Sequence, residues 1–532
     1  MKSRRSERQH RRKKNSIRAW LLTLLAVLII GVGGTVWYMQ QQVSTAETRN
    51  ASGLNEQKGN TAAQQQNGNS ATDSSSPATD KDSAIQQSAP TVDEQYDLVL
   101  IGSEIEGILM AKAAHDEGLN VLILDPRNEP GGQLLQGQML VLDEPNNNKK
   151  VSLVQGEMKK LYNAYNSGEI RKESDFVEYY NGLIQGITLK SGITLGHIQQ
   201  DELNHMHSIS SITYTEKDGA EHTVSARYFV ENTDYAALSS KLDVTRIPGV
   251  ESIFSDSDKP EYMAATYMLK FKNVDWIALH SATLLDYPLS NLEAKYGTNT
   301  YVDYDFGTGF NKVTDKLKLA DSQLKLRGIN STYQKHGDVI INALLIYDVD
   351  PSNPESVSKA IAKGKAAAPE VLKFLRDNIP GYKNAELNGF PDYLYIRDYN
   401  RYQTDYVLTY NDVQDSNMFW DNVSVGGYPM DIQGTHEVPT GKGYGKPDFY
   451  GIPMRSFELK DYDNVLVAGK NIGAEIQAYG SARITPTTAL AAETMGIILG
   501  HEGKDKRLRE LTKQDFEQIH DYLRKDYNIS LE

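Results

Sequence analysis

Short solid apolar runs stand out along the 532-residue chain. Asp97-Leu-Val-Leu-Ile101, Asn120-Val-Leu-Ile-Leu124 and Asn464-Val-Leu-Val-Ala468 predict strands buried on both faces, as in parallel sheets covered by helices. Between the first two, a helical stretch runs to about Glu117 with Gly118 as its C-cap, which makes a βαβ unit. Farther on, Ser208 to Thr215 and Glu221 to Asn232 flank Lys217-Asp-Gly219, whose Asp-Gly supplies the positive φ angles of a hairpin turn. Beyond Pro248 strands and helices mix without a clear period until the strand at Val465 and a helix over Thr487 to Leu499. The first and last pieces therefore predict one α/β domain of Rossmann type, interrupted by a β-rich insertion.

The N-terminus follows a different rule. Ala19 to Met39 is uncharged and mostly apolar, with Trp20 at one end and Trp37 and Tyr38 at the other. About 20 such residues span a bilayer as a helix, with aromatics at the interfaces. Nine Lys and Arg residues against Glu7 give the first 18 residues a net charge of +8, which predicts a cytoplasmic tip and an extracytoplasmic body. A cleaved signal peptide needs a shorter apolar core and a small-x-small site, and none follows Met39. From Gln41 to about Asp93 there is too little apolar surface to offset ordering entropy, so this is a linker.

Charge and composition exclude several functions. The chain totals −14, so everything after the tip carries −22, which argues against nucleic acid as a partner. The absence of cysteine excludes disulfides, cysteine-ligated iron–sulfur clusters and cysteinyl flavin. The 11 histidines are scattered, without HExxH spacing, so no metal is expected. The 31 tyrosines fit either a sugar-binding surface or ordinary packing, and packing is the safer reading of so scattered a set.

The first motif with chemistry is Gly102-Ser103-Glu104-Ile105-Glu106-Gly107, after a strand and opening a helix, with Asp125 ending the next strand. In a dinucleotide fold the first glycine makes the tight turn and the helix N-terminus faces the pyrophosphate. The acid about 20 residues on accepts from ribose hydroxyls. Here Glu104 replaces the middle glycine, bringing bulk and negative charge to a place meant for an anion.

Pro130-Gly131-Gly132-Gln133 completes a stretch, Asp97 to Gln133, that resembles the start of the FAD-dependent oxidoreductase family among glutathione-reductase-like flavoproteins. Further blocks resemble the family in the same order: Ala226 to Asp234, Ile396-Arg397-Asp398-Tyr-Asn-Arg401, Gly427-Tyr428-Pro-Met-Asp431-Ile, Gly451-Ile-Pro-Met-Arg455-Ser, Val-Ala-Gly469-Lys-Asn and Gly480-Ser-Ala-Arg483-Ile484-Thr485-Pro. The resemblance implies FAD as cofactor, held by Gly102, Ser103, Glu104, Gly107, Asp125, Gly131, Gly132, Gln133, Gly469, Arg483, Ile484 and Thr485. It also points to Arg397, Tyr428 and Asp431 as catalytic residues. Arg397, Arg401 and Arg455 are candidates to fork a substrate carboxylate, or else to pair with acids such as Asp398 and Asp431.

The expected parsing is a basic tip (1–18), a transmembrane anchor (19–39), a linker (40–95), an FAD-binding domain in two parts (96–247 and 446–505), an inserted substrate domain (248–445) and a C-terminal helix (506–532). The expected function is a membrane-anchored extracytoplasmic oxidoreductase passing a hydride between FAD and a small-molecule or sugar-like substrate. The competing expectation is a cell-surface binding module that kept the fold and lost redox activity.

Overall fold

The computed structural model describes residues 92–203, 205–255 and 258–532. The basic tip, the apolar run and all but the end of the linker lie outside the described residues. Among the described residues, no helix is long and apolar enough to cross a membrane.

The first sheet contains β1 (Glu94–Ile101), β2 (Val121–Asp125), β3 (Thr188–Ser191), β4 (Thr194–Leu203), β5 (Met206–Thr215) and β6 (Glu221–Glu231). Their order is β3-β2-β1-β6-β5-β4, and the late strand Val465–Val467 joins β6 in parallel. The sheet is mixed: β1, β2, β3 and β6 run parallel, while β4, β5 and β6 are antiparallel neighbours. The hairpin predicted around Asp218-Gly219 is β5–β6. Leu98 to Ile101 and Val121 to Leu124 are buried on both faces, which is why these strands read as solid apolar runs. The helices Ile105–Asp116 and Thr485–His501 pack against each other, and the latter is buried from Pro486 to Gly500. A helix enclosed on all sides needs no amphipathic stripe.

Register sets the place of the site. Ile101 pairs with Leu124 and with Glu231, and Glu231 pairs with Val467. Four parallel strands therefore end at one level, with Asp125 as the last residue of β2 and Gly102, Asn232 and Gly469 in the loops after the others. In open α/β sheets the crevice beyond the strands' carboxyl ends is where ligands bind.

The second sheet has six strands between Ala265 and Leu387, in the order Glu386–Leu387, Ala265–Lys272, Val339–Ile346, Leu324–Tyr333, Phe306–Thr308, Tyr301–Val302. It has its own core, in which Ala367, Ala368, Val371, Leu372 and Leu375 of the helix Pro354–Asn378 meet strand residues such as Tyr267 and Ile341. The Asn353 side chain caps that helix by accepting from Glu355 and Ser356. The chain then returns to the first core. Tyr395 bridges to Thr266, Arg401–Tyr402 pairs with Arg246–Ile247, and Asn422–Gly426 pairs with Tyr450–Pro453. Many tyrosines, among them Tyr180, Tyr228, Tyr382, Tyr450 and Tyr479, are fully buried. Packing accounts for them.

Candidate functional site

Gly102 follows β1 with φ of +101°, and a Cβ there would lie 2.3 Å from the Asn232 carbonyl oxygen. The sharp turn thus requires glycine, as the fingerprint predicts. Gly107 serves packing instead. Its N–H donates to Asn232 Oδ1 at 3.1 Å, and Asn232 Nδ2 donates to the Glu104 carbonyl at 3.1 Å. Asn232, at the end of β6, fastens the glycine loop from the far side.

Asp125 is fully buried. Arg127 N–H donates to Asp125 Oδ1 at 2.8 Å, Ser103 Oγ bonds to Oδ2, and the Gly131 N–H in turn donates to Ser103 Oγ at 3.0 Å. Burial pushes the Asp125 carboxyl up from its ordinary range, against the pull of Arg127 and of these hydrogen bonds. Ser103 and Asp125 therefore brace the two glycine turns against each other.

Glu104 lies across the second of those turns. Its Oε2 accepts from the Gln133 N–H at 2.7 Å, and its Oε1 from Arg127 Nη1 at 3.2 Å. Arg127 also pairs with Asp234, and its guanidinium is sandwiched between Tyr235 and Tyr393, 5.0 and 4.6 Å from the ring centres. Burial raises the Glu104 carboxyl, while Arg127 and Lys470 pull it back. Lys470 follows Gly469, is buried, and has its Nζ 5.9 Å from the Tyr395 ring centre. No carboxylate pairs with it among the described residues.

Two adjoining cavities share Glu104, Glu106 and Lys470 in their walls. The larger, about 50 Å³, is also lined by Gln133, Asp143, Tyr395, Arg483, Ile484 and Thr485. The smaller touches Thr233, Asp234 and Gly469. The structure thus gathers Glu104, Gln133, Arg483, Ile484 and Thr485 around the larger space and Glu104 and Gly469 around the smaller. The arrangement suits FAD by two observations: an N–H and a guanidinium already hold a carboxylate where phosphates are expected, and Arg483 Nε is buried with no hydrogen-bond partner beside the final helix N-terminus. Gly131, Gly132, Gln133, Arg127 and Lys470 would hold the pyrophosphate, and Gly469, Arg483, Ile484 and Thr485 the flavin end.

The predicted catalytic residues Arg397, Tyr428 and Asp431 line neither cavity and lie behind Arg483 and Asp143 of the larger one. Arg483 Nη2 donates to the Asp431 carbonyl at 3.4 Å, and Gln433 bridges Asp431 to Arg327, whose Nη1 donates to Gln433 Oε1 at 2.9 Å. Tyr428 hydrogen-bonds Asp143, whose carboxyl burial pushes up while Arg483 pulls it down. Arg397 is buried one layer behind, 4.4 Å from the Tyr395 ring centre. Its Nη1 donates to the Ala264 carbonyl at 2.9 Å and its Nη2 to Asn342 Oδ1 at 3.4 Å. Burial, with Arg327 and Arg483 beside it, brings the guanidinium down to about 9, while Tyr395 and Asp431 pull it the other way. The other two arginine candidates are engaged elsewhere: Arg401 stacks on Tyr479 and donates to the Ala474 carbonyl, and Arg455 forks Asp421 at 2.8 and 3.0 Å.

Sequence reasoning missed Arg127, Asp143, Arg327 and Lys470. Arg127 and Lys470 each sit within two residues of a recognised position, which was the available signal. Asp143 and Arg327 belong to no motif.

Among solved structures, the flavin-dependent brominase Bmp2 is 13% identical with a TM-score of 0.36, covering 80% of this chain and 83% of its own. The p-nitrophenol 4-monooxygenase PnpA of Pseudomonas putida is 12% identical with a TM-score of 0.33, covering 81% and 90%. No curated protein matches the chain. The model of the FAD dependent oxidoreductase family matches residues 97–523. The chain belongs to that family and is an FAD-dependent oxidoreductase.

Proposed function

We infer that this oxidoreductase passes a hydride between FAD and a small organic substrate that carries a carboxylate, on the outer side of a membrane to which its N-terminus anchors it. The observation that carries the substrate reading is Arg397, a buried cation in no ion pair among the described residues, grouped with Arg327 and Arg483 around the carboxylate of Asp431. A buried charge is costly unless paired, and a substrate carboxylate would supply the pair. Both Nη atoms of Arg397 already donate to the protein, so its charge rather than its fork is what remains for a ligand. Bound FAD supplies the hydride-accepting centre. Asp143, on the cavity wall and hydrogen-bonded to Tyr428, is placed to exchange a proton with a substrate hydroxyl or amine. The β-rich sheet from Ala265 to Leu387 contributes Arg327 and Asn342 to this end, which supports its reading as a substrate domain.

The test is anaerobic bleaching of the flavin absorbance by a panel of 2-hydroxy and 2-amino acids beside their amides. Acids are expected to bleach the flavin and amides not. Equal bleaching by both sinks the carboxylate reading. The anchor rests on the apolar run and the basic tip, and is tested separately: protease added to intact cells or spheroplasts should remove the body, and full protection would place it inside.

A further inference from the structure

We propose that Glu104 is a built-in occupant of the pyrophosphate site, and that the cofactor enters only when this carboxylate lets go of the Gln133 N–H and Arg127. Three observations converge. First, the Glu104 carboxylate accepts from donors of the type that bind phosphate: a backbone N–H after a glycine pair, at 2.7 Å, and a guanidinium, at 3.2 Å. Second, it lies against the turn itself, since a Cβ on Gly132 would be 2.1 Å from Glu104 Oε1. Third, Glu104 is in the wall of both cavities, and the larger holds only about 50 Å³, where a ligand pocket has roughly 300 Å³ or more.

The alternatives for Glu104 follow from the same contacts. A permanent structural pair with Arg127 would leave Asp234 redundant, yet Arg127 has Asp234 as a second carboxylate and stays neutralised when Glu104 leaves. Lys470, in no ion pair among the described residues and on the wall of both cavities, already attracts Glu104 from a distance and offers an incoming phosphate a counter-charge. Glutamate at the middle fingerprint position therefore acts as a removable plug. It stabilises the empty protein, where it satisfies the Gln133 N–H, and opposes loading.

The test uses the full chain stripped of flavin, with FAD binding followed by flavin fluorescence. Glu104→Ala is expected to bind FAD about tenfold or more tightly than wild type, the size of one charge-assisted hydrogen bond. The same variant is expected to melt below wild type when empty and level with it when loaded. A variant that binds FAD no more tightly, or whose melting deficit persists after loading, overturns the proposal and leaves Glu104 as a permanent brace. A second measurement needs no variant: the observed rate of association with wild type should level off as FAD is raised, because plug release becomes limiting. A rate rising linearly throughout overturns the closed state. Absence of FAD binding by both proteins would overturn the proposal together with the cofactor assignment.

Discussion

The backbone N–H of Glu157 donates to both carboxylate oxygens of Glu493, at 3.1 and 2.9 Å. Glu493 comes from the helix Thr485–His501 and caps the helix Gly156–Ser167, whose own N-cap, Gln155, makes no side-chain cap bond. Burial pushes Glu493 up to about 7, against the pull of the Glu157 N–H. Because the folded state holds this proton more tightly than the unfolded chain, the stabilisation is complete below about pH 4.3 and is lost as pH rises through about 7. Glu493→Gln keeps an acceptor for the Glu157 N–H and has nothing to titrate. The expectation is a shallower fall in urea-unfolding stability between pH 5 and pH 8 than in wild type, by on the order of 2 kcal/mol. Glu458, which burial brings up to about 8, adds a slope of the same sign to both proteins, so the difference between them reads Glu493 alone. Identical slopes would mean that Glu493 is charged in the fold throughout.

A Cβ on Gly107 would lie 1.9 Å from Asn232 Nδ2. Gly107→Ala should therefore force Asn232 from its two hydrogen bonds to the glycine loop, at a cost of about 3 kcal/mol. Asn232→Ala alone should also destabilise, by leaving the Gly107 N–H and the Glu104 carbonyl unpaired. The pair Gly107→Ala with Asn232→Ala should lose less than the two single losses together, because the clash and the lost bonds are one event. Urea unfolding of the four proteins tests this, and strict additivity would show that the two residues do not meet.

The parts of this fold that were legible in the sequence are those where one physical demand dominates. Leu98 to Ile101 and Val121 to Leu124 read as buried strands because helices cover both faces, and Asp218-Gly219 as a turn because glycine accepts the positive φ that Gly219 adopts, while Asp218 does not take one. The strand Val339–Ile346 is buried at all eight positions, yet its neighbours have no matching runs, so the topology of the second sheet was not readable. Fingerprint spacing located Gly102 and Asp125, and the family resemblance Gly132, but not what fills the space between them. That depends on how Arg127, Asn232 and Lys470 meet across three loops, and separations of 20 to several hundred residues leave no local pattern. Arg397 shows the same limit: its residue type suggested a fork for a carboxylate, while its partners are Ala264, just before the strand Ala265–Lys272, and Asn342, within the strand Val339–Ile346.

Arg397 and Arg455 make opposite predictions. Arg455 forks Asp421, which is fully buried, while a third of the Arg455 side chain is exposed. Arg455→Lys loses the bidentate geometry and should lower stability by about 1–2 kcal/mol, with bound flavin and turnover unchanged. Arg397 forks no carboxylate among the described residues. If its charge draws the substrate's carboxylate toward the wall formed by Arg483 and Tyr395, then Arg397→Met should raise KM for an acid substrate at least about tenfold. That is the weight of one poorly screened charge interaction, on the order of 1.4 kcal/mol or more. The same change should leave KM for an uncharged analogue and the flavin content near wild type. Arg397→Lys, which keeps the charge, should recover most of the difference. Steady-state kinetics on an acid and its amide, with flavin content read from the visible spectrum, separate the outcomes. Equal loss for acid and amide would make Arg397 a packing residue, and failure of lysine to restore the acid would mean that the planar fork itself meets the substrate.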